Sequence, residues 1–311
     1  MTNSVTKMND QNQEKSAMES FAFLIPLVSK KKAKSWDEVV LNLERTVQSI
    51  NASESDNYLC LIAHDDKPDS SIWQHKNVVS VQLPASSISA NSSVKEDKAR
   101  KIKAAASWLQ INSSTAHHYL MFLDADDLID SRLVRFVLEK GNKQGYSITD
   151  GYVLDLESNL IKTILDNFHQ QCGSCFIGYF RREELPLNYM DRTSVFSRIY
   201  DVKHKDHANS AIRVGKNIEK LPFPAVVYCI NHINSAQQIL TGNKRDIKAN
   251  ILKSPLLTKH ILSTRYGIST GFEKANELPF EKAQKWVFIG IQKFNVLLIK
   301  YLRLDLLRRF L

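Results

Sequence analysis

The run Phe122-Leu123-Asp124-Ala125-Asp126-Asp127 ends an apolar stretch in three carboxylates. Side chains alternate along a strand, so Asp124 and Asp126 are expected to point the same way. Two like charges at the carboxyl end of a buried strand repel unless a cation sits beside them, and ligands bind at that edge of an α/β sheet. A hard divalent ion, Mg2+ or Mn2+, held by one or two carboxylates keeps positions open for phosphate oxygens and neutralises a departing diphosphate. The competing reading is structural: Asp127 or Asp130 caps a helix over 131–140, and the acids favour its dipole. Asp130 is expected to be that cap. Asp124, still in the strand, is left for a ligand.

Other spacings are weaker. Cys172-x-x-Cys175 could ligate zinc or form a redox pair, but a structural zinc needs a second pair, and a redox site belongs at a helix start after the first strand. A strand ending in Asp-x-Asp is also the signature of haloacid-dehalogenase-type phosphohydrolases. There the motif opens the domain, whereas three strand-like runs precede it here. A calcium loop lacks the glycine its sixth position requires.

The elements that must carry these residues alternate. FAFLIPLV (21–28) is a short apolar run, and Ser35 with Glu38 marks the start of a helix through about Ile50. YLCLIAH (58–64) and the run 78–83 are strand-like, and a helix of high propensity spans about 95–110. This order predicts an α/β sheet, parallel in its first half. Less regular strands follow over 147–155, 175–180 and 225–232, and 240–280 is a polar, mixed connector. Residues 1–19 are polar and aperiodic and are expected to be a disordered leader.

In this order the chain resembles the family 2 glycosyltransferases of GT-A fold over about residues 21–235, most closely in the first half. The resemblance implies a Rossmann-like mixed sheet flanked by helices over 20–240, with a helical extension over 241–311. It implies that Asp124 contacts the nucleotide ribose region, that Asp126 ligates the metal and that Asp65 or Asp66 holds the base. Where the family has Pro-x-(Tyr/His)-Asn beside the base, this chain has Pro26-Leu27-Val28-Ser29. A basic residue on the helix near Lys95 approaches the nucleotide in such enzymes, which makes Arg100 and Lys101 candidates. By similar position, His232 completes the metal site, and Gly173-Ser174 lies on the acceptor side. The family's Glu-Asp pair opening a helix corresponds to Lys205-Asp206, so Asp206 is the candidate general base and the preceding Glu is replaced by lysine. The implied activity is transfer, with inversion, of a sugar from a UDP- or GDP-type donor to a glycan or lipid-linked acceptor. A fold that binds without catalysing is the alternative.

The chain has 311 residues, with 42 Lys plus Arg against 33 Asp plus Glu, a formal charge of +9. A 43% hydrophobic content excludes disorder throughout. Four cysteines do not form a secreted disulfide framework, and no apolar signal segment opens the chain, so a cytoplasmic setting is expected. Residues 281–311 hold seven basic residues against Glu281 and Asp305, a net +5 on that segment. On a helix these would form one cationic face opposite a broad apolar one, suited to the inner face of an anionic membrane or to packing on the core. A nucleic-acid partner is not expected, because basic and aromatic residues are not interleaved across the domain.

Overall fold

A computed structural model describes residues 19–84, 93–234 and 255–268. The leader expected over 1–19 lies outside the described residues except for Glu19, which begins a strand. The basic segment 281–311 also lies outside them.

The first half alternates as its pattern predicts. It comprises β1 (Glu19–Pro26), α1 (Trp36–Asn51), β2 (Tyr58–His64), β3 (Val78–Gln82), α2 (Val94–Asn112) and β4 (His117–Phe122). The Ser35 side chain accepts from the Glu38 N–H to start α1, and Ser93 with Glu96 forms a reciprocal capping box on α2. β3, β2, β1 and β4 lie side by side in that order, all parallel. Beyond β4 the sheet turns antiparallel at β9 (Phe176–Arg181), then passes to β6 (Gly145–Ser147) and β10 (Glu219–Lys220). The fold is therefore α/β, with a seven-stranded mixed sheet flanked by helices.

Both faces of the central strands are buried, and the alternation along β1 shows how. Phe21, Phe23 and Ile25 pack with Val39, Leu43, Val47 and Ile50 of α1 and with Leu133, Val134 and Val137 of α3 (Leu133–Lys140). Ala22 and Leu24 face the other way, against Ile102, Ala105, Ala106 and Leu109 of α2 and against Phe196, Ile199 and Tyr200 of α4 (Val195–Tyr200). Strands buried on both faces read as continuous apolar runs, as β1 and β2 do.

A second sheet, in the order β5-β11-β7-β8, is formed by β5 (Leu128–Ile129), β7 (Gly151–Asp155), β8 (Leu160–Ile164) and β11 (Val226–Ile230). The run 147–155, expected as one strand, is broken. Ser147 belongs to the large sheet and Gly151 to the small one, and between them the Ile148 N–H bonds the Cys175 carbonyl while Asp150 takes the Asp166 N–H. Within the region expected as a connector, α6 (Pro255–Tyr266) packs Leu262 and Tyr266 on the small sheet. The Asp130 cap is also corrected. The N-cap of α3 is Arg132, and Asp130, two residues earlier, binds the Arg132 N–H and guanidinium.

Candidate functional site

A cleft of about 200 Å³ opens where the chain leaves β1 and β4. β1 is followed by β2 on one side of it, and β4 lies on the other, so the strand order reverses between them. Such a reversal leaves a crevice outside the carboxyl ends of the strands. Pro26, Leu27 and Val28 form one wall, Asp124, Ala125 and Asp126 another, and Tyr228, His232 and Asn234, on and after β11, a third.

The regular strand stops at Phe122, although the Leu123 N–H still bonds the Leu24 carbonyl. A turn follows, closed by the Asp127 N–H on the Asp124 carbonyl at 3.2 Å. Asp124 and Asp126 do share one side, as alternation predicts, but the turn places them there rather than the strand. Asp127 points the other way, into the protein. Its carboxyl accepts from the Ser174 hydroxyl at 2.6 Å, the Cys172 thiol at 3.4 Å and the Cys229 N–H at 3.2 Å. Burial first, then the charges of neighbouring groups, push its affinity for a proton well above the usual carboxylate range. Cys172 and Cys175 are buried thiols, and burial pushes both up, away from the reactive thiolate.

In the cleft each carboxylate faces a cationic or protonatable group. Lys98 Nζ lies 2.5 Å from Asp124 Oδ1 and 4.5 Å from the centroid of the Phe122 ring. His232 Nε2 lies 2.8 Å from Asp126 Oδ2. Burial pushes the His232 imidazole down, but the adjacent Asp126 raises it more, and the net direction is up. Lys98 is likewise raised, because Asp124 outweighs desolvation.

The remaining expected residues divide into groups. Pro26 and Lys101 line the cleft, but Lys101 is buried and spends its ammonium on Asp65 at 2.7 Å, Asp97 at 2.9 Å and the Leu27 carbonyl at 2.7 Å. Arg100 bonds Asp65 and Asp97 in the same network, and Asp66 accepts the Lys30 N–H. These four hold α2 and the β1–α1 loop in place from outside the cleft wall, Lys101 apart. Gly173 lies against Asp124: a Cβ there would stand 3.0 Å from Asp124 Oδ2. Ser174 is fully buried behind the acidic turn, where its oxygen accepts the Asp124 N–H at 3.0 Å. Asp206 stands at the N-cap position of α5 (His207–Arg213) without a capping hydrogen bond. The adjacent His204 is within electrostatic reach of Lys98 and Asp124, and desolvation, then the Lys98 charge, push it down.

Sequence reasoning passed over Lys98, Asn42 and Asn234. Lys98 lies one helical turn before Lys101, so the basic face was legible but not which lysine reaches the acids. Asn42 interrupts the apolar stripe of α1 and is buried beside His232, with Nδ2 3.5 Å from Nδ1. Asn234 pins the β1–α1 loop, accepting the Lys34 N–H at 2.8 Å and donating to the Ser35 carbonyl at 2.8 Å.

The expected Mn2+ or Mg2+ site would draw on Asp126 and His232. These residues do not fit such an ion as they stand. Asp124 is matched by an ammonium, and among the described residues no three His, Cys, Asp or Glu converge as a metal-binding group.

No family model matches the sequence, and no curated protein matches it significantly. Among solved structures the chain is similar to one provisionally named a nucleotide-diphospho-sugar transferase, from Desulfovibrio desulfuricans G20. The two share 11% identity over 79% of this chain and 96% of that one, with a TM-score of 0.35. At that score the likeness carries no weight for the site.

Proposed function

We propose that the protein is a glycosyltransferase that moves a sugar from a nucleoside-diphosphate donor to a glycan or lipid-linked acceptor. The observation that carries this reading is the position of the acidic turn. Asp124 and Asp126 lie in the crevice where the strand order reverses, facing an apolar wall of Pro26, Leu27 and Val28. The apolar wall suits a nucleobase, and the charged end suits a ribose and diphosphate.

In the proposed reaction the acceptor hydroxyl oxygen attacks the anomeric carbon from the face opposite the diphosphate. The bond from that carbon to the diphosphate oxygen breaks, its electron pair leaves on the diphosphate, and the Asp206 carboxylate takes the hydroxyl proton. Inversion follows from attack on the opposite face. Support for Asp206 is its N-cap position without a capping hydrogen bond, two residues after His204, which interacts electrostatically with Lys98 and Asp124. An Asp206→Asn variant should bind donor as the parent does, while transfer falls by about 10²–10⁴-fold, measured as nucleoside diphosphate released per enzyme. Parent-like turnover would exclude Asp206 as the base.

A further inference from the structure

We propose that Lys98 and His232 take the place of a divalent ion and bind the donor diphosphate directly, through an ammonium and an imidazole N–H. This rests on the reading of the cleft as a nucleoside-diphosphate-sugar site.

The polarity of His232 follows from its neighbours. Arg45 Nη1 lies 3.4 Å from Asn42 Oδ1, and a guanidinium can only donate, so the Asn42 oxygen must face Arg45. The Asn42 amide nitrogen then faces His232 Nδ1, at 3.5 Å, and Nδ1 must accept. The ring proton is therefore on Nε2, aimed into the cleft toward Asp126. A metal-ligating imidazole needs the reverse, a lone pair on the nitrogen that faces the metal and a proton on the other. Nε2 is buried at the cleft wall, where its proton can pass from Asp126 to an anionic oxygen that enters the cleft.

Lys98 supplies the second group. Its side chain is 37% exposed, so it can turn from Asp124 toward an incoming phosphate without unpacking the core. Gly173 leaves the Asp124 carboxylate its place beside Lys98, since an added Cβ would stand 3.0 Å from Asp124 Oδ2. Asp124 holds the Lys98 ammonium at the cleft, and Asp126 keeps the His232 Nε2 proton aimed into it. A divalent ion would have to displace the ammonium from Asp124 and remove the Nε2 proton.

Calorimetry of the full-length protein with UDP, GDP and dTDP, each in excess EDTA and again with Mn2+, tests this. For the nucleotide that binds best, the Kd in EDTA should lie within about twofold of the value with Mn2+. Lys98→Met should weaken binding at least about tenfold in both buffers, and Lys98→Arg should restore most of the loss. A parent-like melting temperature for Lys98→Met confirms that the variant is folded. Binding that appears only with Mn2+, or a Lys98→Met protein that binds as the parent does, overturns the proposal and leaves the donor reading standing. If no nucleoside diphosphate binds in either buffer, the donor reading falls and this proposal with it.

Discussion

Ser174 separates two carboxyls that have opposite environments. Its oxygen accepts the Asp124 N–H on the cleft side and its proton goes to Asp127 on the buried side. Ser174→Ala leaves both without that partner, and an unsatisfied buried group costs about 1–3 kcal/mol. The urea midpoint of that variant should fall accordingly, with weaker nucleotide binding alongside, because the turn that aims Asp124 and Asp126 loses its tie. An unchanged midpoint and affinity would show that the turn holds itself. The sequence marks Ser174 as near the site, yet nothing in QCGSCF tells whether the hydroxyl faces an acceptor sugar or the core. That depends on Asp127, 47 residues away in the chain, turning inward. The same limit applies to α2. Lys98 and Lys101 share a helical face, and only contacts with Asp65 and the Leu27 carbonyl decide that Lys101 is internal while Lys98 reaches the cleft.

At the level of elements, the first half was legible because β1, β2 and β4 are buried on both faces and each helix carries its own start signal. Ser35 and Ser93 mark where α1 and α2 begin, and the apolar runs of β1 and β2 need no tertiary partner to be recognised. The second half was not. The break between β6 and β7 is fixed by long-range hydrogen bonds at Ile148 and Asp150, and the Asp150-Gly151 pair that marks a turn there is flanked by β-formers that read as one continuous strand. The small sheet matters for function because β11 delivers Tyr228 to the cleft and His232 follows it, while α6 covers its far side. Leu262 of α6 is fully buried there. Leu262→Ala should therefore lower stability by about 2–5 kcal/mol, the range for removing a buried leucine side chain. A loss below about 0.5 kcal/mol in urea unfolding would show that α6 does not support the sheet.

For the molecule as a whole, the charge pattern predicts an acid sensitivity. Burial pushes His64, His118 and His207 down to about 4, against an ordinary imidazole value of 6.5. Each is neutral when folded and takes up a proton on unfolding between those values, so stability is present above 6.5 and is lost as the pH falls toward 4. His204 is pushed down as well and acts in the same sense, while Asp127 and His232, whose folded values are raised, act in the opposite one. The urea midpoint should fall steadily from about pH 7 to about pH 4.5. His118→Gln should flatten part of that slope, and a midpoint that stays level or rises would contradict the assignment. The formal charge of +9 belongs in part to a segment outside the described residues, and among those described no helix is long and apolar enough to cross a membrane. Thermal unfolding against a panel of nucleotide-sugars tests most directly whether the cleft at the strand reversal is a donor site. At a ligand concentration of about 100 Kd, a donor bound only by the folded state adds about 2.7 kcal/mol. The melting temperature should then rise by roughly 5–10 °C with at least one nucleoside-diphosphate sugar, and Asp124→Ala should remove most of the rise. A panel that leaves the melting temperature unmoved, or a rise that survives Asp124→Ala in full, would contradict the claim.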